Sequence, residues 1–159
     1  MTKYKVLLIV LLSFFFLSCN KGLEPPEVSQ SAVLSIDIRF DNDWPNKDSI
    51  YGLRVAAFKL PPSQNLISEV LNGKAEIKDI DSEYGSNNFN TNFVYDNLPI
   101  ELKYIVVAWQ YDSLLTSQKI VGVYNKTNYN EPSLVTLNSG DSINIVIEVD
   151  WNDFPPQPF

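Results

Sequence analysis

Leu34-Ser35-Ile36-Asp37-Ile38-Arg39-Phe40 alternates apolar and polar side chains without a break, and residues 143–151, Ile143-Asn144-Ile145-Val146-Ile147-Glu148-Val149-Asp150-Trp151, follow nearly the same rule. A period of two sends successive side chains to opposite faces, so each stretch predicts a strand with one buried face. Further strands are expected near residues 51–60, 92–97, 102–111, 118–124 and 134–137. Turn-forming clusters separate them: residues 41–46, Asn97-Leu98-Pro99, residues 128–132, and Asn138-Ser139-Gly140-Asp141. Seven short strands punctuated in this way predict an all-β domain, an antiparallel sandwich. The one helical candidate is residues 64–71, a short helix in a long connection, with Leu66, Ile67, Val70 and Leu71 on one face before Gly73.

The ends of the chain read differently. Lys3 and Lys5 precede an apolar run over residues 6–17, and Ser18 then leads into Cys19, the only cysteine. A basic start, a short apolar stretch and a small residue at the cut predict a secretory signal peptide over residues 1–18. The run is too short for a membrane-spanning helix, which needs about 20 apolar residues. Phe16-Leu17-Ser18-Cys19 resembles the lipobox of bacterial lipoproteins, which implies that Cys19 is acylated and becomes the mature N-terminus. At about 0.8 kcal/mol per buried CH₂, two or three acyl chains would hold the protein on its membrane. Residues 19–30, with Gly22, Pro25 and Pro26, predict an extended tether. Pro155, Pro156 and Pro158 make residues 153–159 a second extended segment, leaving residues 31–152 as the folded domain. The expected address is the bacterial cell envelope, on the outer membrane.

Charge narrows the partners. The chain has 12 basic and 19 acidic side chains, and without residues 1–18 the basic count falls to 10, a net charge of −9. An acidic chain whose only arginines are Arg39 and Arg54 has no electrostatic footprint for nucleic acid.

Phe93-Val94-Tyr95-Asp96-Asn97-Leu98-Pro99, followed by Tyr104-Ile105-Val106-Val107-Ala108, resembles the core of transthyretin-like, carboxypeptidase-regulatory-like domains, and residues 52–58 are similar to the strand that precedes it there. The resemblance implies an immunoglobulin-like or transthyretin-like sandwich and a non-catalytic module on an envelope or secreted protein. It also implies that Tyr104, Val106 and Ala108 point into the core, placing Ile105, Val107, Trp109 and Tyr111 on the outer face. So much apolar area should not stay wet. Residues 64–71 are expected to pack over Trp109; failing that, Trp109 and Tyr111 become the partner surface.

Chemistry is bounded by what the chain contains. It has no histidine, and its only cysteine is expected to carry lipid, so neither a Ser-His nor a Cys-His nucleophile can be assembled. No catalytic residue, cofactor or metal is expected. Asp37, Asp41, Asp43 and Glu148 are the carboxylates a hydrolase would draw on, but strand faces and turns use such residues routinely. Asp41-Asn42-Asp43 begins like a calcium loop, yet Pro45 and Asn46 break the pattern. Asn125-Lys126-Thr127 fits the N-glycosylation sequon, which bacterial export makes irrelevant in most hosts. Asp48-Ser49-Ile50, Asp112-Ser113-Leu114 and Asp141-Ser142-Ile143 resemble the Asp-Ser-aliphatic O-glycosylation motif of some Gram-negative envelope proteins. The aromatics Trp44, Trp109, Tyr111 and Tyr129, with the Asn-rich residues 85–92, are the candidates for a glycan surface. The expected role is a membrane-anchored interaction module whose partner is an envelope protein or a glycan.

Overall fold

The computed structural model describes residues 30–41, 43–60, 70–80, 84–125 and 132–158. Cys19, the signal and tether before Gln30, Tyr129 and all but the last two residues of the 64–71 helix candidate lie outside them.

The described residues form nine strands: β1 (Ala32–Asp41), β2 (Gly52–Phe58), β3 (Ala75–Asp79), β4 (Asn88–Tyr95), β5 (Ile100–Leu102), β6 (Tyr104–Gln110), β7 (Gln118–Val123), β8 (Val135–Leu137) and β9 (Ser142–Asp150). Seven of them form one sheet in the order β3-β2-β6-β7-β9-β1-β4, and β5 pairs with β8 separately. The sheet curls until its edge strands β3 and β4 nearly meet, and Lys78 Nζ donates across that seam to the carbonyl of Asn92. The all-β expectation holds.

A wholly antiparallel sheet does not, because β1 and β9 are parallel, in register from Val33 opposite Ser142 to Asp41 opposite Asp150. These are the two most regularly alternating strands of the chain, and side by side they match inward positions: Leu34 with Ile143, Ile36 with Ile145, Ile38 with Ile147, Phe40 with Val149. Full burial of an isoleucine or leucine side chain contributes about 1.5–3 kcal/mol, so this pairing supplies much of the core. The core is completed by Leu53 and Val55 of β2, Ile105 and Val107 of β6, Val121 of β7, and Leu102, Val135 and Leu137 from the small sheet.

The orientation of β6 is the reverse of the one expected. Ile105 and Val107 face the main core, whereas Tyr104, Val106 and Ala108 join Ala56, Phe58, Ile120 and Val123 in a second buried cluster on the outer face. The polar end of the even-numbered set explains the choice. Gln110 shares its face, and on that face Arg54 reaches both Gln110 Oε1 at 2.9 Å and Asp79 Oδ1 at 2.8 Å. Turning β6 over would drive the Gln110 amide into a core of leucine, isoleucine and valine and take from Arg54 the Oε1 it donates to, at a desolvation cost.

Two local devices let the sheet curl. The β6/β7 pairing slips between Val107 and Ala108, a β-bulge of the kind that bends a strand. Next to it, β7 meets β9 at Gly122 opposite Val149, where a Cβ would stand 2.9 Å from the Glu148 carbonyl. Glycine permits the approach. Beyond that contact the tail takes over the pairing: Ile120 N–H donates to Gln157 Oε1 at 2.8 Å, and Gln157 Nε2 donates to the Ile120 carbonyl at 3.0 Å. A side-chain amide thus does for β7 what a neighbouring strand would.

Candidate functional site

The pairings give strand directions: β1, β9, β6 and β3 run one way, β2, β7 and β4 the other. The domain therefore has two ends, separated by strands of nine or ten residues, roughly 30 Å at 3.3 Å per residue. At one end the chain enters. Gln30 N–H donates to Ser139 Oγ at 3.0 Å and its carbonyl accepts from Gly140 N–H at 3.2 Å, fastening the entry to the turn between β8 and β9. Gly140 holds a φ of 80°, a left-handed backbone that favours glycine.

The opposite end is aromatic. Trp44 lies 4.5 Å from Phe40, 5.0 Å from Trp151 and 5.3 Å from Tyr84, measured between ring centroids. Trp109 packs edge-on against Trp151, Tyr111 and Phe154 at 5.8, 5.9 and 6.1 Å. Two of the three indole N–H groups are used as well: Trp44 donates to the Ser86 carbonyl at 3.1 Å and Trp109 to the Ser49 carbonyl at 3.0 Å, while Trp151 Nε1 is buried without a partner among the described residues. Trp109 is half-buried inside this cap, with Phe154 of the tail beside it, and the 64–69 part of its expected cover lies outside the described residues. Tyr111 is exposed, with Lys119 Nζ 5.2 Å from its ring. Around it the cap presents Tyr51, Tyr84 and, on the turn between β6 and β7, Leu114 and Leu115, about 60 % exposed.

The other sequence candidates scatter. Asp37 pairs with Arg39 at 3.3 Å, and both border a shallow groove of about 620 Å³ with Asp41, Asn87 and Asn88. Glu148 stands opposite Arg39 in the register. Asp43 lies exposed before the 3-10 turn Lys47–Ser49, whose first N–H groups are capped by Asn46 Oδ1 accepting from Asp48 N–H at 3.1 Å. Residues 88–92 of the expected Asn-rich loop belong to β4. Of the Asp-Ser-aliphatic serines, Ser113 is exposed in a turn, Ser142 is exposed at the start of β9, and Ser49 is half-buried with its hydroxyl donating to the Asn46 carbonyl at 2.6 Å. Among the described residues no group of three or more acidic or cysteine side chains is placed to hold a metal. No described helix is long and apolar enough to cross a membrane.

One site was not read from the sequence. Below the Lys78 bridge the edges of β3 and β4 part, leaving a cleft of about 420 Å³ lined by Lys59, Glu76, Val94, Tyr95, Asp96, Asn97, Pro99 and Ile100. Strand β3, Ala75-Glu76-Ile77-Lys78-Asp79, is too short and too polar to announce itself. Tyr95 belongs to the inward face of β4, yet its hydroxyl is buried without a hydrogen-bond partner among the described residues. Desolvation pushes the Glu76 carboxyl above the usual carboxylate range, against the pull of Lys59 and Lys78. Burial, with Glu76 beside it, pushes the Tyr95 phenol well above its ordinary value, so it stays a neutral donor and acceptor. No family model, curated protein or solved structure matches the chain.

Proposed function

We propose that the protein is a non-catalytic, lipid-anchored envelope module, of the transthyretin-like sandwich kind, that engages an envelope partner protein through the end remote from its anchor. The observation that carries this reading is the polarity of the domain. The chain enters beside Ser139 and Gly140, while Tyr51, Tyr111, Leu114 and Leu115 are presented at the far end. Attachment through Cys19 would hold the entry end toward the bilayer and turn those apolar side chains away from it. Leu60, Leu71 and Val94 are exposed toward the entry end as well, but the far end groups its exposed apolar side chains beside the ring contact of Trp109 with Tyr111, and an apolar patch around aromatic rings is what a protein interface requires. The outer-membrane address rests on the lipobox resemblance at residues 16–19.

Two experiments test it. Cys19→Ser leaves no thiol to acylate, and the protein should move from the membrane fraction to the soluble one. A mutant still held on membranes after a salt wash overturns the anchor. A photo-crosslinking residue at position 114 should give a discrete adduct in intact cells, while the same residue at position 136, exposed on β8 at the entry end, should not. Equal adducts at the two positions, or none at 114, overturn the partner-facing end.

A further inference from the structure

The seam cleft joins a cavity to a polar group left unmet among the described residues. Tyr95 is only 4 % exposed, its hydroxyl has no hydrogen-bond partner among the described residues, and Tyr95 borders the opening of about 420 Å³. An unpaired buried hydroxyl costs stability, a penalty that a ligand supplying the partner would relieve. The size falls within the roughly 300–1,000 Å³ of small-molecule sites.

Charge selects the ligand. A free anion entering the cleft meets Glu76 and Asp96, and a free cation meets Lys59, with Lys78 close by. A neutral molecule meets neither penalty. Carboxyl, carboxamide, phenol and ammonium groups together offer several acceptors and donors at short range, the set that grips neighbouring hydroxyls. Val94, Pro99 and Ile100 supply apolar wall for the C–H face of a ring. We propose that the cleft between β3 and β4 binds a neutral, hydroxyl-rich ligand of sugar-ring size, held by Tyr95, Glu76, Asn97 and Lys59. This site is at the entry end of the domain and stands independently of the partner surface at the aromatic end.

The test uses full-length protein in phospholipid nanodiscs and three probes, glucose, galactose and N-acetylglucosamine, read by saturation-transfer NMR and titration. At least one sugar should bind saturably. Tyr95→Phe should weaken it about tenfold, the effect of one good hydrogen bond, with no loss of thermal stability. Glu76→Gln, which keeps the shape and removes the carboxylate, should also weaken binding. Acetate and ethylammonium should not compete. Absence of binding by all three sugars overturns the proposal, as does binding that survives both substitutions or is displaced by either ion.

Discussion

The aromatic end and the seam end of this domain differ in what surrounds their buried polar atoms. At the aromatic end Trp44 and Trp109 bury their rings against one another's neighbours and spend their N–H groups on the carbonyls of Ser86 and Ser49. At the seam, Tyr95 buries a hydroxyl with no partner among the described residues and Glu76 holds a partly desolvated carboxyl beside an open cleft. Trp151 Nε1 too is buried without a partner among the described residues, but it lies among the rings of Phe40, Trp44 and Trp109, whereas Tyr95 borders a cleft. An unmade bond beside an opening gives up stability and gains the capacity to bind. Side chains of the two ends should therefore answer substitution differently.

The largest contrast lies at Trp109. Trp109→Ala removes contacts with Trp151 and Phe154 and strands the Ser49 carbonyl, and it should cost about 3–5 kcal/mol in urea unfolding. A loss below ~1 kcal/mol would mean that the cap is an exposed binding face rather than a closure of the core. Gly122→Val tests the close approach on which the curl depends. With a Cβ position 2.8 Å from Val149 Cγ2 and 2.9 Å from the Glu148 carbonyl, it should cost about 1–3 kcal/mol by overpacking. Wild-type stability in that variant would show that β7 and β9 have room to part.

Smaller still are the pH effects. Burial pushes the Tyr104 phenol up to about 12, so the folded state keeps a proton that the unfolded chain releases near 10. The stability it contributes is fully present below pH 10 and is lost as pH rises from 10 toward 12. Tyr104→Phe should flatten this fall, and an unchanged alkaline profile would place Tyr104 in water. Glu76 follows the same sign in the acid range: its folded pKa lies above 4.5, so its contribution is present below 4.5 and is lost as pH rises through the raised value. Glu76→Gln should remove that slope, leaving the variant at least as stable as the wild type near neutrality. A destabilised variant there would reveal an ion pair holding the carboxylate.

Much of the shell was legible. The alternation of β1 and β9 is written residue by residue, and every inward position there is inward in the structure, from Leu34 to Phe40 and from Ile143 to Trp151. Their parallel pairing was not legible, because alternation fixes which face is buried and says nothing of the neighbour or its direction. On β6 both faces are apolar, so period alone could not orient it. The available signal was Gln110, continuing the series Tyr104, Val106, Ala108 and marking it as the outward one. The cleft was hidden for another reason. It is made where β3, with barely an apolar face, comes to the edge of β4, a juxtaposition set by sheet closure across more than a dozen residues of sequence.

The most direct measurement of the difference between the two ends is the unfolding free energy of Tyr95→Phe, determined beside the wild type in urea. Removing a buried hydroxyl that has no partner should leave stability unchanged or raise it by up to about 1 kcal/mol. A loss of ~1 kcal/mol or more would mean that the hydroxyl is already paired within the fold, and the seam would then have no unmet group to offer a ligand.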